Sequence, residues 1–172
     1  MRGTAHMAAG LTAGITTAYF APTDNFGQKI LIATFAVLGG VLPDIDHPNS
    51  TIGKKVKPLA KQINKIFGHR TITHAPSLYM LLLFIFLKCM EKIPEEISIY
   101  LNYILLGLFV GVCSHLIGDM FTKGGIPMFY PITKKKYRIT KVKTGDADAL
   151  FVVLTSIIFI SLGFGGRYLG IF

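Results

Sequence analysis

The chain has 172 residues, 51% of them hydrophobic, and a formal net charge of +9; its mean hydropathy is +0.52. That length suits one domain over residues 1–172 and is too short for two ordinary ones, while the apolar share exceeds the roughly 45–50% of soluble domains even when glycine is counted. Cys89 and Cys113 lie far apart in apolar segments with no C-x-x-C, which excludes a disulfide framework and a metal knuckle.

The apolar residues gather into runs at 7–21, 30–42, 75–87, 97–118 and 149–164, with short polar segments between them. The pattern predicts an all-α polytopic membrane bundle of about five apolar helices. A perpendicular span needs roughly 17–25 apolar residues. Only 97–118 reaches that unaided; the others need flanking polar residues or lie partly inside the protein. Residues 2–10 mix Arg, His and Gly and show no cleavage pattern, so the first run reads as a retained helix. In 54–67, KKVKPLAKQINKIF, the residues Leu59, Ile63, Ile66 and Phe67 recur at helical spacing with lysines opposite. This predicts an amphipathic helix lying on anionic headgroups. No recognition helix or stacking motif accompanies those lysines, so no nucleic-acid partner is expected. The stretch 128–145 alternates apolar and basic residues, as a short basic hairpin or extended loop would. Asp146 and Asp148 suit a helix N-cap before residue 149.

Charge placement sets an orientation. Lys54, Lys55, Lys57, Lys61, Lys65 and Arg70 form one basic group; Lys123, Lys134, Lys135, Lys136, Arg138, Lys141 and Lys143 form another. The turn 22–27 has no basic residue, and the turn 91–96, EKIPEE, is acid-rich. The positive-inside rule places both basic loops and the N-terminus in the cytoplasm of a multi-pass protein of a bacterial inner membrane.

That threading brings polar chemistry to one face. All five histidines (His6, His47, His69, His74 and His115) fall at cytoplasmic ends of apolar runs, as do Asp44, Asp46 and Asp119. His115 and Asp119, in SHLIGD, are four apart, so on a helix their Cβ atoms stand about 5–6 Å from one another and can grip one cation. Ionisable residues in an apolar helix are costly and mark functional sites. In GHRTITH, His74 precedes Pro76 at a predicted helix start, where anions are favoured, and Arg70 offers a planar fork for phosphate. In PDIDH, Asp44 and Asp46 are alternate residues of one loop. Imidazole and carboxylate are zinc ligands, and paired ions suit phosphoester hydrolysis; manganese and iron accept the same ligand types. A shared centre requires the 44–46 and 69–74 loops to lie within about 12 Å of His115.

The ordered motifs HMAAG, LGGVLPDIDHP, GHRTITH, GVCSHLIGD and GGIPMFYP, over residues 4–133, resemble the YdjM-like family of inner-membrane-associated metal-dependent hydrolases, itself grouped with zinc-dependent phospholipase C and P1-type nucleases. The resemblance implies metal ligands at His6, Asp44 or Asp46, His69, His115 and Asp119, with Asp119 the bridge between ions. Those enzymes also use an N-terminal amine and an H-x-x-x-E pair. Here Met1 precedes His6 and no histidine has Glu four residues on, so two zinc ions, not three, are expected. The sequence-level expectation is a hydrolase in which Asp46, Arg70 and His74 serve the chemistry on a phosphoester of a membrane lipid. The alternative is a membrane metal-binding or transport protein using the same ligands.

Overall fold

Capping residues and prolines mark the helix ends. A computed structural model describes residues 2–143 together with Gly145, Asp148, Phe151 and Ile157. Among these, α1 runs Gly3–Phe20, α2 Phe26–Val41, α3 Lys57–Phe67, α4 Pro76–Met90 and α5 Glu95–Met120, with 3₁₀ turns at Leu42–Asp46 and Ile72–His74. The Asn25 side chain caps α2 by accepting from the backbone N–H groups of Gly27 and Gln28. Proline sits in the first turn of α3 and of α4, where its missing N–H costs nothing. Gly68, at φ +80°, ends α3 in a left-handed conformation natural only to glycine. Glu95 and Glu96 open α5, next to its positive dipole end.

α1, α2 and α5 form the core, and their seam is made of backbone. A Cβ on Gly40 would lie 2.6 Å from the His6 carbonyl oxygen, and one on Gly107 would lie 2.5 Å from that of Ile32. A Cβ on Gly111 would overlap the Ala36 carbonyl oxygen and come within 2.8 Å of the Gly40 nitrogen. Ile32 and Ala36, on the α2 side of this seam, are fully buried. Small residues permit this approach, which is how helices associate where lipid removes the hydrophobic drive.

The all-α expectation holds among the described residues; the expectation of about five membrane helices does not. Two helical stretches there are long and apolar enough to cross a bilayer: Phe26–Asp46, where α2 continues through its 3₁₀ turn, and Glu95–Met120. α4 has 15 residues, about 22 Å at 1.5 Å per residue, short of the roughly 30 Å hydrocarbon core. α1 has 18 residues but is diluted by four threonines, three glycines and His6. The run 149–164 lies largely outside the described residues.

The expected amphipathic helix is α3. Its larger apolar residues Leu59, Ile66 and Phe67 are exposed, whereas Ile63 is half-buried and Ala60 fully buried. No paired strands form in 128–143. Instead the segment after α5 folds back over the helix end through two isolated bridges, Thr122 with Val142 and Ile126 with Tyr137. The Ile139 N–H donates to the Met120 carbonyl at 2.7 Å. Proline at 127 and 131 removes ladder donors, which accounts for bridges in place of strands.

Replacing Gly111 by valine drives a branched side chain into the α2 backbone. Overpacking of this kind costs about 1–3 kcal/mol. Thermal unfolding of the detergent-solubilised chain is expected to fall accordingly, whereas Leu81→Val on the exposed side of α4 leaves it within error.

Candidate metal centre

Alternation of helix direction brings four segments to one end of the bundle. α1 begins there with His6. α2 ends there and hands on to the 3₁₀ turn with Asp44 and Asp46. The loop carrying His69, Arg70 and His74 leads into α4 there. α5 ends there with His115 and Asp119. His6, Asp46, His74, His115 and Asp119 are each fully buried. Burying charge at this density is very costly unless opposite charges and hydrogen bonds meet it.

Four atoms make the centre of the cluster. His74 Nε2 lies 3.3 Å from His115 Nε2, 3.4 Å from Asp119 Oδ2 and 3.6 Å from Asp44 Oδ1. His115 Nε2 lies 3.7 Å from Asp119 Oδ2 and 3.8 Å from Asp44 Oδ1. Ligands at the usual zinc distances of about 2.0–2.2 Å, placed tetrahedrally, are separated by roughly 3.3–3.6 Å. The donor types suit one small divalent cation, and the two imidazole nitrogens stand close to the required spacing from one another and from each carboxylate.

The ring orientations agree. His115 Nδ1 donates to the Gly40 carbonyl at 2.7 Å, which leaves Nε2 as the nitrogen facing the other donors. Thr73 Oγ1 donates to Asp46 Oδ2 at 2.6 Å and sits 3.1 Å from His74 Nδ1. Its one proton is spent on Asp46, so it accepts from Nδ1–H, and His74 likewise turns Nε2 inward. Burial opposes a charged His74, but the carboxylates of Asp119, Asp44 and Asp46 outweigh it and push its pKa up to about 10.

Asp46 works beside this set. Its Oδ1 is bonded by His69 Nδ1 at 2.9 Å. Its Oδ2 takes the Arg70 backbone N–H at 2.9 Å as well as the Thr73 hydroxyl, and its own carbonyl accepts from Asn64 Nδ2 at 2.9 Å. This carboxylate fastens the 69–74 loop, in which Arg70 is held at φ +57°, a strained conformation for a residue with a Cβ. His69 is the exposed member, with its side chain 37% accessible.

Arg70 points inward. Its Nη2 donates to Asp119 Oδ1 at 2.7 Å and its Nη1 to Thr122 Oγ1 at 3.2 Å. A Cβ on Gly124 would collide with Nη1, so a larger residue there would push the guanidinium from this position. His6 stacks on His115 with centroids 3.6 Å apart and carries Nε2 3.5 Å from Asp119 Oδ1. Among the described residues neither of its ring nitrogens makes a hydrogen bond.

All the residues singled out by sequence lie in this neighbourhood, but not in one role. His6, His115 and Asp119 form one compact group of donors, and Asp44, His74 and His115 another. Asp46 and His69 fall in neither and face one another. Sequence reasoning did not reach Thr73, Thr122, Gly124 or the Gly40 carbonyl. Adjacency to His74 was the one available signal for Thr73. The others act through the backbone or through contacts distant in sequence.

Comparison with known proteins adds three findings. The family described as YdjM inner membrane protein matches residues 1–171. A Bacillus subtilis (strain 168) protein, YvsG, is 33% identical over 171 residues, which is 97% of this chain and 99% of that protein. The inner membrane protein YdjM of Escherichia coli (strain K12) is 39% identical over 100 residues, 58% of this chain and 49% of that protein, and that of Shigella flexneri matches identically. The match to these last two thus spans about half of their length. No solved structure matches.

Asp46→Ala removes the acceptor of three hydrogen bonds. Bonds to a charged group contribute about 1.5–3 kcal/mol each, so the 68–75 loop is expected to open. Hydrogen exchange should rise there and stay low in the seam of α1, α2 and α5; unchanged protection of the loop would refute the clamp.

Proposed function

The chain belongs to the YdjM family of inner membrane proteins, and we propose that it is a membrane-bound, metal-dependent hydrolase cleaving a phosphoester at the cytoplasmic face. Charge balance in the cluster carries the reading. Asp44, Asp46 and Asp119 bring three negative charges, and Arg70 returns one. The two left over match one divalent cation at the four-donor position once it takes the place of the proton that His74 carries in the ion-free cluster.

One ion fits better than two. His115 Nε2 is common to both donor groups and has one lone pair. Asp119 Oδ1, the oxygen left for a bridge, is held by Arg70 at 2.7 Å. Asp44, His74, His115 and Asp119 are therefore the proposed ligands, with His6 in reserve against Asp119. Two imidazoles and two carboxylates suit zinc, and manganese or iron accept the same set. Held by these donors, such an ion would have to expand to a fifth position, where it would supply a water of lowered pKa or polarise a phosphoryl oxygen.

The remaining roles belong to the protein. Arg70 keeps positive potential beside the position where charge develops on a phosphoryl group. His69, at the mouth of the cluster and oriented by Asp46, is placed to carry a proton to or from the leaving oxygen. This moves Asp46 and His69 from the ligand role to that of a proton-transfer pair. The exposed lysines of α3, with exposed Leu59, Ile66 and Phe67, suit an anionic bilayer surface at the cluster end. The orientation by charge puts that end in the cytoplasm.

A panel of phosphodiesters and phospholipids offered to the purified, zinc-loaded chain tests the proposal. Hydrolysis of at least one is expected. Asp119→Asn should lose bound zinc and activity together. His69→Gln should keep zinc and lose about 10²–10⁴-fold in kcat. Zinc bound tightly with no member of the panel turned over would favour the metal-binding or transport reading.

A further inference from the structure

α4 does not join the core seam; it leans on α5 and leaves a groove of about 330 Å³ between them. That is at the small end of ligand-binding clefts, roughly 300–1,000 Å³. The walls are apolar throughout: Leu83 and Phe86 from α4 face Leu105, Leu108 and Phe109 from α5. The groove opens sideways, since Leu82 and Ile85 on its rim are 49% and 48% exposed.

Its inner end abuts the donor cluster. Leu42, which lines it, stands two residues before Asp44, and Val112 one turn before His115. Tyr79 lines it too, and its hydroxyl donates to the Thr73 carbonyl at 2.6 Å. Its outer end is at Cys89. Ten residues of α4 separate Tyr79 from Cys89, about 15 Å along a helix. That is half of the roughly 30 Å hydrocarbon core, the depth of one leaflet. α3, whose lysines are exposed, packs on the 3₁₀ turn that carries Leu42, and its charge favours an anionic headgroup at that end.

The geometry points to this groove as the seat of one hydrocarbon chain of an anionic phospholipid, with the phosphate at the donor cluster. The assignment rests on the hydrolase reading for its substrate class, but its physical content is a binding site. Lateral opening lets a lipid enter from the bilayer without leaving it. The apolar walls hold the chain while the cluster meets the polar end. Specificity would then follow chain length up to about one leaflet.

The test needs no turnover. The full chain is reconstituted in vesicles containing phosphatidylglycerol with a photoactivatable group midway along one acyl chain, then illuminated and mapped by peptide mass spectrometry. Adducts on Leu83, Phe86, Leu105 and Phe109 are expected to exceed those on the outward residues Met80, Leu81, Phe84 and Leu87 at least fivefold. Leu83→Trp, which fills the groove, should cut groove adducts at least fivefold with zinc content unchanged. The phosphatidylcholine analogue should label the groove at least threefold less. Adducts distributed over α4 by exposure alone would overturn the proposal, as would a groove left unlabelled because residues 149–172 or a second copy cover it. Equal labelling by the two lipids would overturn the anionic preference. A chain that labels the groove yet hydrolyses nothing removes the enzyme reading and leaves the lipid seat standing.

Discussion

Everything at the candidate site depends on how closely the backbones of α1, α2 and α5 approach. Gly40 shows why. Its missing side chain admits the His6 carbonyl, and its own carbonyl holds His115 Nδ1 at 2.7 Å. One glycine thus fixes the spacing of two helices and the ring orientation of a donor on the third. Gly107 and Gly111 repeat the arrangement along the α2–α5 seam. With ordinary side chains there, the helices would stand apart, and the ends carrying His6, Asp44 and Asp119 would diverge.

The second constraint is electrostatic. Fully buried carboxylates and imidazoles persist where each is answered by charge or hydrogen bonding. Asp46 is answered within the protein, by His69, Thr73 and the Arg70 amide. Asp119 is answered in part by Arg70. The group around His74 Nε2 has the donor types to take a cation, and the proposal places one there. The clamp on Asp46 and the open donor set thus divide the labour of one loop. One carboxylate builds the loop, and its neighbour two residues earlier faces the imidazoles of His74 and His115.

Much of this was legible in the sequence. Helices appear as apolar runs, and H-x-x-x-D within one of them places His115 and Asp119 on a common face because helical geometry leaves no choice. The convergence of four segments followed from counting alternating helix directions. What was not legible depends on contacts distant in sequence. Nothing near Asp46 distinguishes it from Asp44, yet one meets Thr73 and the other His74 Nε2. Gly124 reads as a turn residue, but its role is to make room for Arg70. The count of spanning helices was overdrawn because an apolar run does not disclose where its helix stops, and α4 stops at 15 residues.

The central claim is that the seam assembles one four-donor position for a single divalent ion. Zinc analysis of the purified full chain, combined with X-ray absorption at the zinc edge, examines it most directly. The account predicts one ion per chain in a shell of nitrogen and oxygen, with outer-shell scattering from two imidazoles. A chain that retains no ion, or that shows a second metal at about 3.5–4 Å, would contradict it.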